Sequence, residues 1–170
     1  HPPVDRKSKT WYHNYGLHTC AKTDPIHDKG EPVTTTSDSD TALIDIVCHK
    51  GANKVAPENT FAAAQQAIDW GATTIEADVW TSRDGEMVVI HDSTVDRTTD
   101  GTGHVVALTS TELAALDAGG WFDPAFAGEP IPRLRDLLSW IKGKARVFLD
   151  VKFAHPQQLL DLIYETGVAE

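Results

Sequence analysis

Seven side chains able to do acid–base or electrostatic work fall at or near the ends of short β-type runs: His49, Lys50, Glu76, Asp78, His91, Asp150 and Lys152. In Thr74–Trp80 polar and apolar residues alternate, as in a strand whose successive side chains point to opposite faces. Ile75, Ala77 and Val79 then share one face and leave Glu76 and Asp78 on the other. Two carboxylates at i and i+2 on one strand repel each other, and a cation, a shared proton or water must offset the repulsion. Glu76, Asp78 and Asp150 are hard oxygen ligands that suit one divalent cation, Mg²⁺ or Ca²⁺, better than zinc. An unperturbed imidazole titrates at about 6.5, so of His49 and His91 one can act as base and the other as acid. Lys50 and Lys152 add fixed positive charge beside the acidic groups, which is useful where a phosphate binds. Together these groups fit cleavage of a phosphate ester. A solvated strand edge would account for an isolated Glu-x-Asp, and a packed or surface imidazole for either histidine alone. Packing does not account for all of them at once.

The elements that must position these groups follow from periodicity and punctuation. Ala42–Cys48 is β-rich and apolar on both faces, as in a parallel strand covered by helices, and runs into His49-Lys50-Gly51. Pro57-Glu58-Asn59-Thr60 is a helix-start signal with Asn59 or Thr60 as cap. Phe61, Ala64 and Ile68 predict a helix to about Trp70, stopped by Gly71. Strands are expected over Thr74–Thr81 and Met87–His91, on either side of an Arg83-Asp84-Gly85 turn. A polar loop follows His91, then a short helix over Thr111–Leu116 capped by Ser110 or Thr111. After Pro130-Ile131-Pro132, the spacing of Leu134, Leu137, Leu138 and Ile141 predicts a second strong helix. Arg146–Lys152 reads as a strand and Pro156–Thr166 as a helix ended by Gly167. This alternation gives an α/β fold with a mainly parallel sheet. Four strands then carry polar groups at their C-terminal ends, the edge at which (β/α) barrels build active sites.

Composition sets the outer limits. A chain of 170 residues with 41% hydrophobic and 24% charged residues is of the size and kind of one globular domain. Its net charge of −10 argues against nucleic acid or an anionic membrane as the main ligand. No apolar run of eighteen or so residues offers a transmembrane segment. Cys20 and Cys48 are too few for a disulfide scaffold and could be bridged or free. Residues 1–41 read as a polar extension rich in proline, threonine and serine, and residues 42–170 as the functional domain. Within the extension, Trp11, Tyr12, Tyr15 and Leu17 form an apolar cluster, while His13, His18 and His27 match no zinc spacing and read as surface or packing histidines. The chain opens on His1 rather than Met, as after a cleaved segment or a tag, and with the polar leader this favours a periplasmic or secreted location.

An ordered series of motifs resembles the glycerophosphodiester phosphodiesterase family. It comprises Cys48-His49-Lys50-Gly51, Pro57-Glu58-Asn59-Thr60, Ile75-Glu76-Ala77-Asp78-Val79, His91-Asp92, Arg97-Thr98-Thr99, Gly101-Thr102-Gly103, Ile131-Pro132 with Leu134, and Leu149-Asp150-Val151-Lys152. The resemblance covers roughly residues 44–165, and the series is far more specific than any member of it. It implies a (β/α)8 TIM barrel that hydrolyses glycerophosphodiesters, small-molecule substrates, to an alcohol and glycerol 3-phosphate. By the same resemblance Glu76, Asp78 and Asp150 hold the cation, His49 and His91 are the acid–base pair, and Lys152, with Lys50, faces the phosphate. In the family scheme the glycerol 2-hydroxyl attacks phosphorus, and water opens the cyclic phosphate that results.

Three departures qualify the likeness. Lys50 stands where the family has arginine, keeping the charge and losing the bidentate fork. Asp150 stands where the family usually has glutamate, a shorter arm. A barrel needs eight strands and typically about 250 residues, so about four strands imply the N-terminal half of a larger barrel, completed by a C-terminal half or by self-association. A sphingomyelinase D-like phospholipase releasing a cyclic phosphate, and a non-catalytic half-barrel binding module, are the alternatives. The compact loop carrying Arg97-Thr98-Thr99 and Gly101-Thr102-Gly103 resembles the phosphodiesterase form.

Overall fold

The computed structural model of the chain describes residues 45–168. The chain divides into two units, His1–Ala42 and Leu43–Glu170, and the described residues all belong to the second. The expectations for Trp11, Tyr12, Tyr15 and Leu17, for the three N-terminal histidines and for Cys20 lie outside the described residues. The second unit runs β1 (Val47–Cys48), α1 (Phe61–Asp69), β2 (Thr74–Thr81), β3 (Met87–Val89), α2 (Ser110–Ala114), α3 (Leu134–Ile141), β4 (Arg146–Phe153) and α4 (Pro156–Thr166). No described helix is long and apolar enough to cross a membrane.

The sheet is organised on β2. Its start pairs in parallel with β1 (Val47 with Thr74, Cys48 with Ile75). Along its length it pairs in parallel with β4, placing Glu76 beside Phe148 and Asp78 beside Asp150. Its end pairs with β3, and that pairing is antiparallel, with Val79 opposite Val89 and Thr81 opposite Met87. A tight turn through Arg83-Asp84-Gly85 can only return the chain antiparallel, because a parallel partner needs a crossover of a dozen residues or more. His91, expected to end the third strand of a mainly parallel sheet, therefore lies beyond a strand that runs antiparallel. It enters from the far side of a hairpin, two residues beyond the end of β3.

The alternation in β2 does what its pattern requires. Ile75, Ala77 and Val79 are buried in one apolar cluster with Ala64 and Ala67 of α1, Leu134, Leu137, Leu138 and Ile141 of α3, and Leu162 of α4. The four α3 side chains lie on one stripe and each is at most 3% exposed. Burial of that kind stabilises by roughly 1.5–3 kcal/mol per side chain. A second cluster of Val88, Ile90, Val95, Val105, Leu113, Ala118 and Ile131 anchors the long segment after β3.

The helix ends are mostly as expected. Thr60 caps α1 by accepting from the Ala63 amide at 3.2 Å. Gly167, at φ 64°, closes α4 in the left-handed region that glycine tolerates best. The cap of α2 is Thr109, in a reciprocal capping box with Glu112, rather than Ser110 or Thr111. The Ser110 hydroxyl is engaged elsewhere, donating to Asp84 Oδ2 at 2.9 Å. Strand β1 is shorter than Ala42–Cys48: residues 42–44 lie outside the described chain, and Asp45 and Ile46 are not in the ladder. The Asp45 carboxylate turns to the hydroxyls of Thr73 and Thr74, and Val47 is half exposed, so this strand is not covered on both faces.

Candidate active site

On the face of β2 opposite the core, Glu76 and Asp78 are 5% and 0% exposed. Carboxylates so deeply buried need partners, and each receives one from the loop between β1 and α1. Glu76 Oε2 accepts the Lys50 backbone N–H at 2.6 Å. Lys50 sits at φ 59°, a left-handed conformation that turns its amide toward the sheet, and Gly51 follows at φ 74°. A Cβ at Gly51 would lie 2.7 Å from the Ala63 carbonyl carbon, so the loop lies directly against α1. Asp78 Oδ2 accepts from Asn59 Nδ2 at 2.7 Å, while Asn59 Oδ1 accepts the Asp78 N–H at 3.2 Å. Asn59 is also left-handed, at φ 61°, which asparagine tolerates better than most residues.

The third carboxylate comes from β4. Lys152 Nζ donates to Asp150 Oδ2 at 2.6 Å and stands 3.1 Å from Asp78 Oδ1. Glu76, Asp78 and Asp150 each offer an oxygen within 4.8 Å of the others. Burial, then the like charges of Asp78 and Asp150, push the Glu76 carboxyl above its ordinary pKa against the pull of the Lys50 amide. The Lys152 ammonium holds Asp150 below its ordinary value, helped by the nearby charges of His91 and His49. Lys152 is raised in turn by Asp150 and Asp78.

This donor set fits a divalent cation. Asp78 Oδ1 is buried and accepts no hydrogen bond, and Lys152 approaches it as an ion pair without hydrogen-bond alignment. A buried carboxylate oxygen with no donor, beside two further carboxylate oxygens, is suited to a divalent cation.

The remaining expected residues divide into two groups. His49 is exposed just after β1, and its carbonyl accepts from Asn53 Nδ2 at 3.0 Å. Lys50 reaches the cluster through its backbone, whereas its ammonium, 10% exposed, lies 3.3 Å from Glu58 Oε1. His91 is half-buried, with Nδ1 2.7 Å from Asp92 Oδ1 and its carbonyl accepting from Trp80 Nε1 at 3.0 Å. Arg97 donates through Nε and Nη2 to Asp92, and through Nη1 and Nη2 to Glu58. The hydrogen bond from Arg97 leads in lowering the Asp92 carboxyl to about 2. At Glu58 burial works upward, but Arg97 and Lys50 together keep its carboxyl below its ordinary value.

Sequence reasoning singled out none of Glu58, Asn59, Asp92 and Arg97 as site residues. Asn59 reads as a candidate helix cap, but Thr60 takes that role and frees the Asn59 amide for Asp78. Arg97 lies in a segment without periodicity, where only its place in the motif series marks it.

The glycerophosphoryl diester phosphodiesterase family profile matches residues 49–163. A glycerophosphodiester phosphodiesterase of Caldanaerobacter subterraneus is 48% identical over 99 residues, 58% of this chain and 41% of that protein. The crystal structure of a glycerophosphodiester phosphodiesterase from Agrobacterium tumefaciens superposes with a TM-score of 0.73 at 48% identity, covering 74% of this chain and 55% of that one. An Oleispira antarctica phosphodiesterase, solved with the product sn-glycerol-3-phosphate, superposes with a TM-score of 0.63 at 32% identity, covering 76% of this chain and 52% of that one. The chain spans about a third to just under half of the length of the curated relatives it matches. The solved relatives are TIM barrels, and β1, β2 and β4 with their helices have the arrangement of part of one. With two thirds of its length inside the family profile, the chain belongs to the glycerophosphoryl diester phosphodiesterase family.

Proposed function

We propose that residues 42–170 carry the N-terminal part of a metal-dependent phosphodiesterase that cleaves glycerophosphodiesters to an alcohol and glycerol 3-phosphate. The observation that carries this reading is the cluster of Glu76, Asp78 and Asp150, with its undonated, buried Asp78 oxygen beside Lys152. These three carboxylates would hold one divalent cation, Mg²⁺ or Ca²⁺, whose charge offsets the negative charge that develops on a phosphate under attack. Lys152 adds a fixed positive charge at the same place, so the diester is drawn to this edge of the sheet. Of His49 and His91, one imidazole takes the proton from the attacking 2-hydroxyl as its oxygen bonds to phosphorus. The other gives a proton to the departing alcohol oxygen as its bond to phosphorus breaks. The roles reverse when water opens the cyclic phosphate. Lys50 holds Glu76 through its amide and adds charge on the Glu58 side. The family relationship and the product bound to the Oleispira antarctica relative support a small phosphodiester as substrate. A second half, from further chain or from a second copy, completes the barrel in this reading.

The test is release of glycerol 3-phosphate from glycerophosphocholine by the chain and by His49→Ala, with and without EDTA. Turnover should need a divalent cation, and His49→Ala should lower it by roughly 10²–10⁴, the usual contribution of a positioned proton-transfer group. Turnover that survives EDTA, or that His49→Ala leaves intact, would sink the proposal. Folded protein supplied with Mg²⁺ or Ca²⁺ and still inert would favour a half-barrel lacking its complement or a non-catalytic binding module, and a calorimetric metal titration of the carboxylate cluster would then separate the two.

A further inference from the structure

Between the two histidines runs a line of ion pairs that the reaction scheme does not use. Lys50 follows His49 and meets Glu58, Glu58 meets Arg97, Arg97 meets Asp92, and Asp92 meets His91. Arg97 is the middle of this line. Its Nε and Nη2 grip Asp92 at 2.6 and 3.1 Å, and its Nη1 and Nη2 grip Glu58 at 3.0 and 2.7 Å. Both contacts are bidentate, which is the arginine geometry that lysine cannot reproduce. The two carboxylates belong to segments 34 residues apart in sequence, the turn before α1 and the loop after β3. No strand or helix joins them at this point.

The chemistry of Asp92 gives the line a direction. Ionised near neutral pH and held in place by Arg97, Asp92 can only accept, so the ring nitrogen 2.7 Å away must carry a proton. Neutral His91 is thereby confined to the tautomer with hydrogen on Nδ1, leaving the lone pair on Nε2, the nitrogen turned away from Asp92. We propose that Arg97 is a positioning residue: by clamping Asp92 and Glu58 together it fixes the tautomer and orientation of His91 and ties that ring to the Lys50 segment that carries His49. The consequence for turnover rests on the function proposed above. The tautomer itself does not.

Nitrogen-15 NMR of the histidine side chains in the full chain separates the two. In the unaltered chain near pH 8, His91 should show a pyrrole-type Nδ1 and a pyridine-type Nε2. Arg97→Lys, which keeps the charge and loses the fork, should move most of the His91 population toward the Nε2–H tautomer that free imidazole side chains prefer. Arg97→Gln serves the same purpose should the lysine variant fail to fold. Arg83→Lys, at the exposed Arg83–Glu112 pair, is the control for a merely structural surface arginine and should leave His91 unchanged. If the unaltered chain is active, Arg97→Lys should lower kcat by about tenfold with KM moving less than about twofold, as for residues that orient a functional imidazole. An Nε2–H His91 in the unaltered chain, or an unshifted tautomer in a folded Arg97 variant, overturns the proposal. An inert chain with the expected tautomer shift would count against turnover by this chain alone and leave the role of Arg97 standing.

Discussion

Asn59 offers the sharpest test of how the acidic cluster is held. Its side chain donates to a buried carboxylate oxygen of Asp78 at 2.7 Å and accepts the Asp78 amide at 3.2 Å. A hydrogen bond to a charged group is worth about 1.5–3 kcal/mol and one between neutral groups about 1 kcal/mol, so loss of both should cost about 3 kcal/mol. The backbone adds a separable contribution. At φ 61° alanine is strained by roughly 1–2 kcal/mol and glycine is not. Asn59→Ala should therefore lose about 4 kcal/mol and Asn59→Gly about 3 kcal/mol, an order opposite to that at an ordinary helical or strand position. Urea unfolding followed by tryptophan fluorescence reads both values, and an unchanged slope against urea shows that the same unit is unfolding. An Asn59→Ala variant within about 1 kcal/mol of the parent would mean that Asp78 does not depend on this amide, and the account of the cluster would fail. A glycine variant less stable than the alanine variant would show that the left-handed turn is not required.

Gly51→Ala should be costly for a steric reason, because the new Cβ would lie 2.7 Å from the carbonyl carbon and 2.8 Å from the Cβ and carbonyl oxygen of Ala63. With the positive φ added, a loss of about 3 kcal/mol in the same urea assay is expected, and a neutral substitution would contradict the packing of this loop against α1. Acid should reveal the Asp92 clamp. Its folded carboxyl lies at about 2 against an ordinary 3.8, so its contribution is present above about pH 4 and is lost as pH falls toward 2. Allowing for solvent screening of a side chain 30% exposed, the contribution is about 1 kcal/mol. The stability gap between the chain and Asp92→Asn should close between pH 4 and 2, and a gap constant over that range would count against the clamp.

Much of this was legible because it is periodic. The alternation in Thr74–Trp80 both predicts β2 and places Glu76 and Asp78 opposite the core, and the spacing of Leu134, Leu137, Leu138 and Ile141 predicts the buried stripe of α3. Glu76, Asp78, Asp150 and Lys152 meet because parallel pairing of β2 with β4 brings Asp78 level with Asp150, a register that two in-phase alternations favour. The direction of β3 was less visible. Alternation marks Met87–His91 as extended without saying which way it runs, and only the shortness of the turn decides that. The Arg97 line was not visible as a site, since its members owe their meeting to the fold of two irregular segments. Cap positions shifted for a related reason: Ser110 can cap a helix, but Asp84 from another turn claims its hydroxyl.

The acidic face also explains why the loop from Lys50 to Thr60 has its unusual conformation. Ionised carboxylates as buried as Glu76 and Asp78 cost several kcal/mol each unless donors or cations meet them. From the sheet only Lys152 of β4 reaches them, as an ion pair to Asp78, because the ladder uses the backbone groups of β2 and the residues level with Glu76 and Asp78 on β4 are Phe148 and another acid. Aligned hydrogen-bond donors come from outside the sheet, and the two that bind Glu76 and Asp78, the Lys50 amide and the Asn59 side chain, both belong to residues in the left-handed region. Non-glycine residues hold that conformation only when their surroundings over-determine it. Here the surroundings are the carboxylates on one side and α1 on the other, through Gly51 against Ala63 and the Ala52 amide donating to the Ala63 carbonyl at 2.9 Å. Helix α1 is fixed in turn by the apolar face of β2. The two faces of one strand are thus coupled through a loop that touches both, so a substitution that loosens α1 on the core side should be felt at Glu76 and Asp78 on the other.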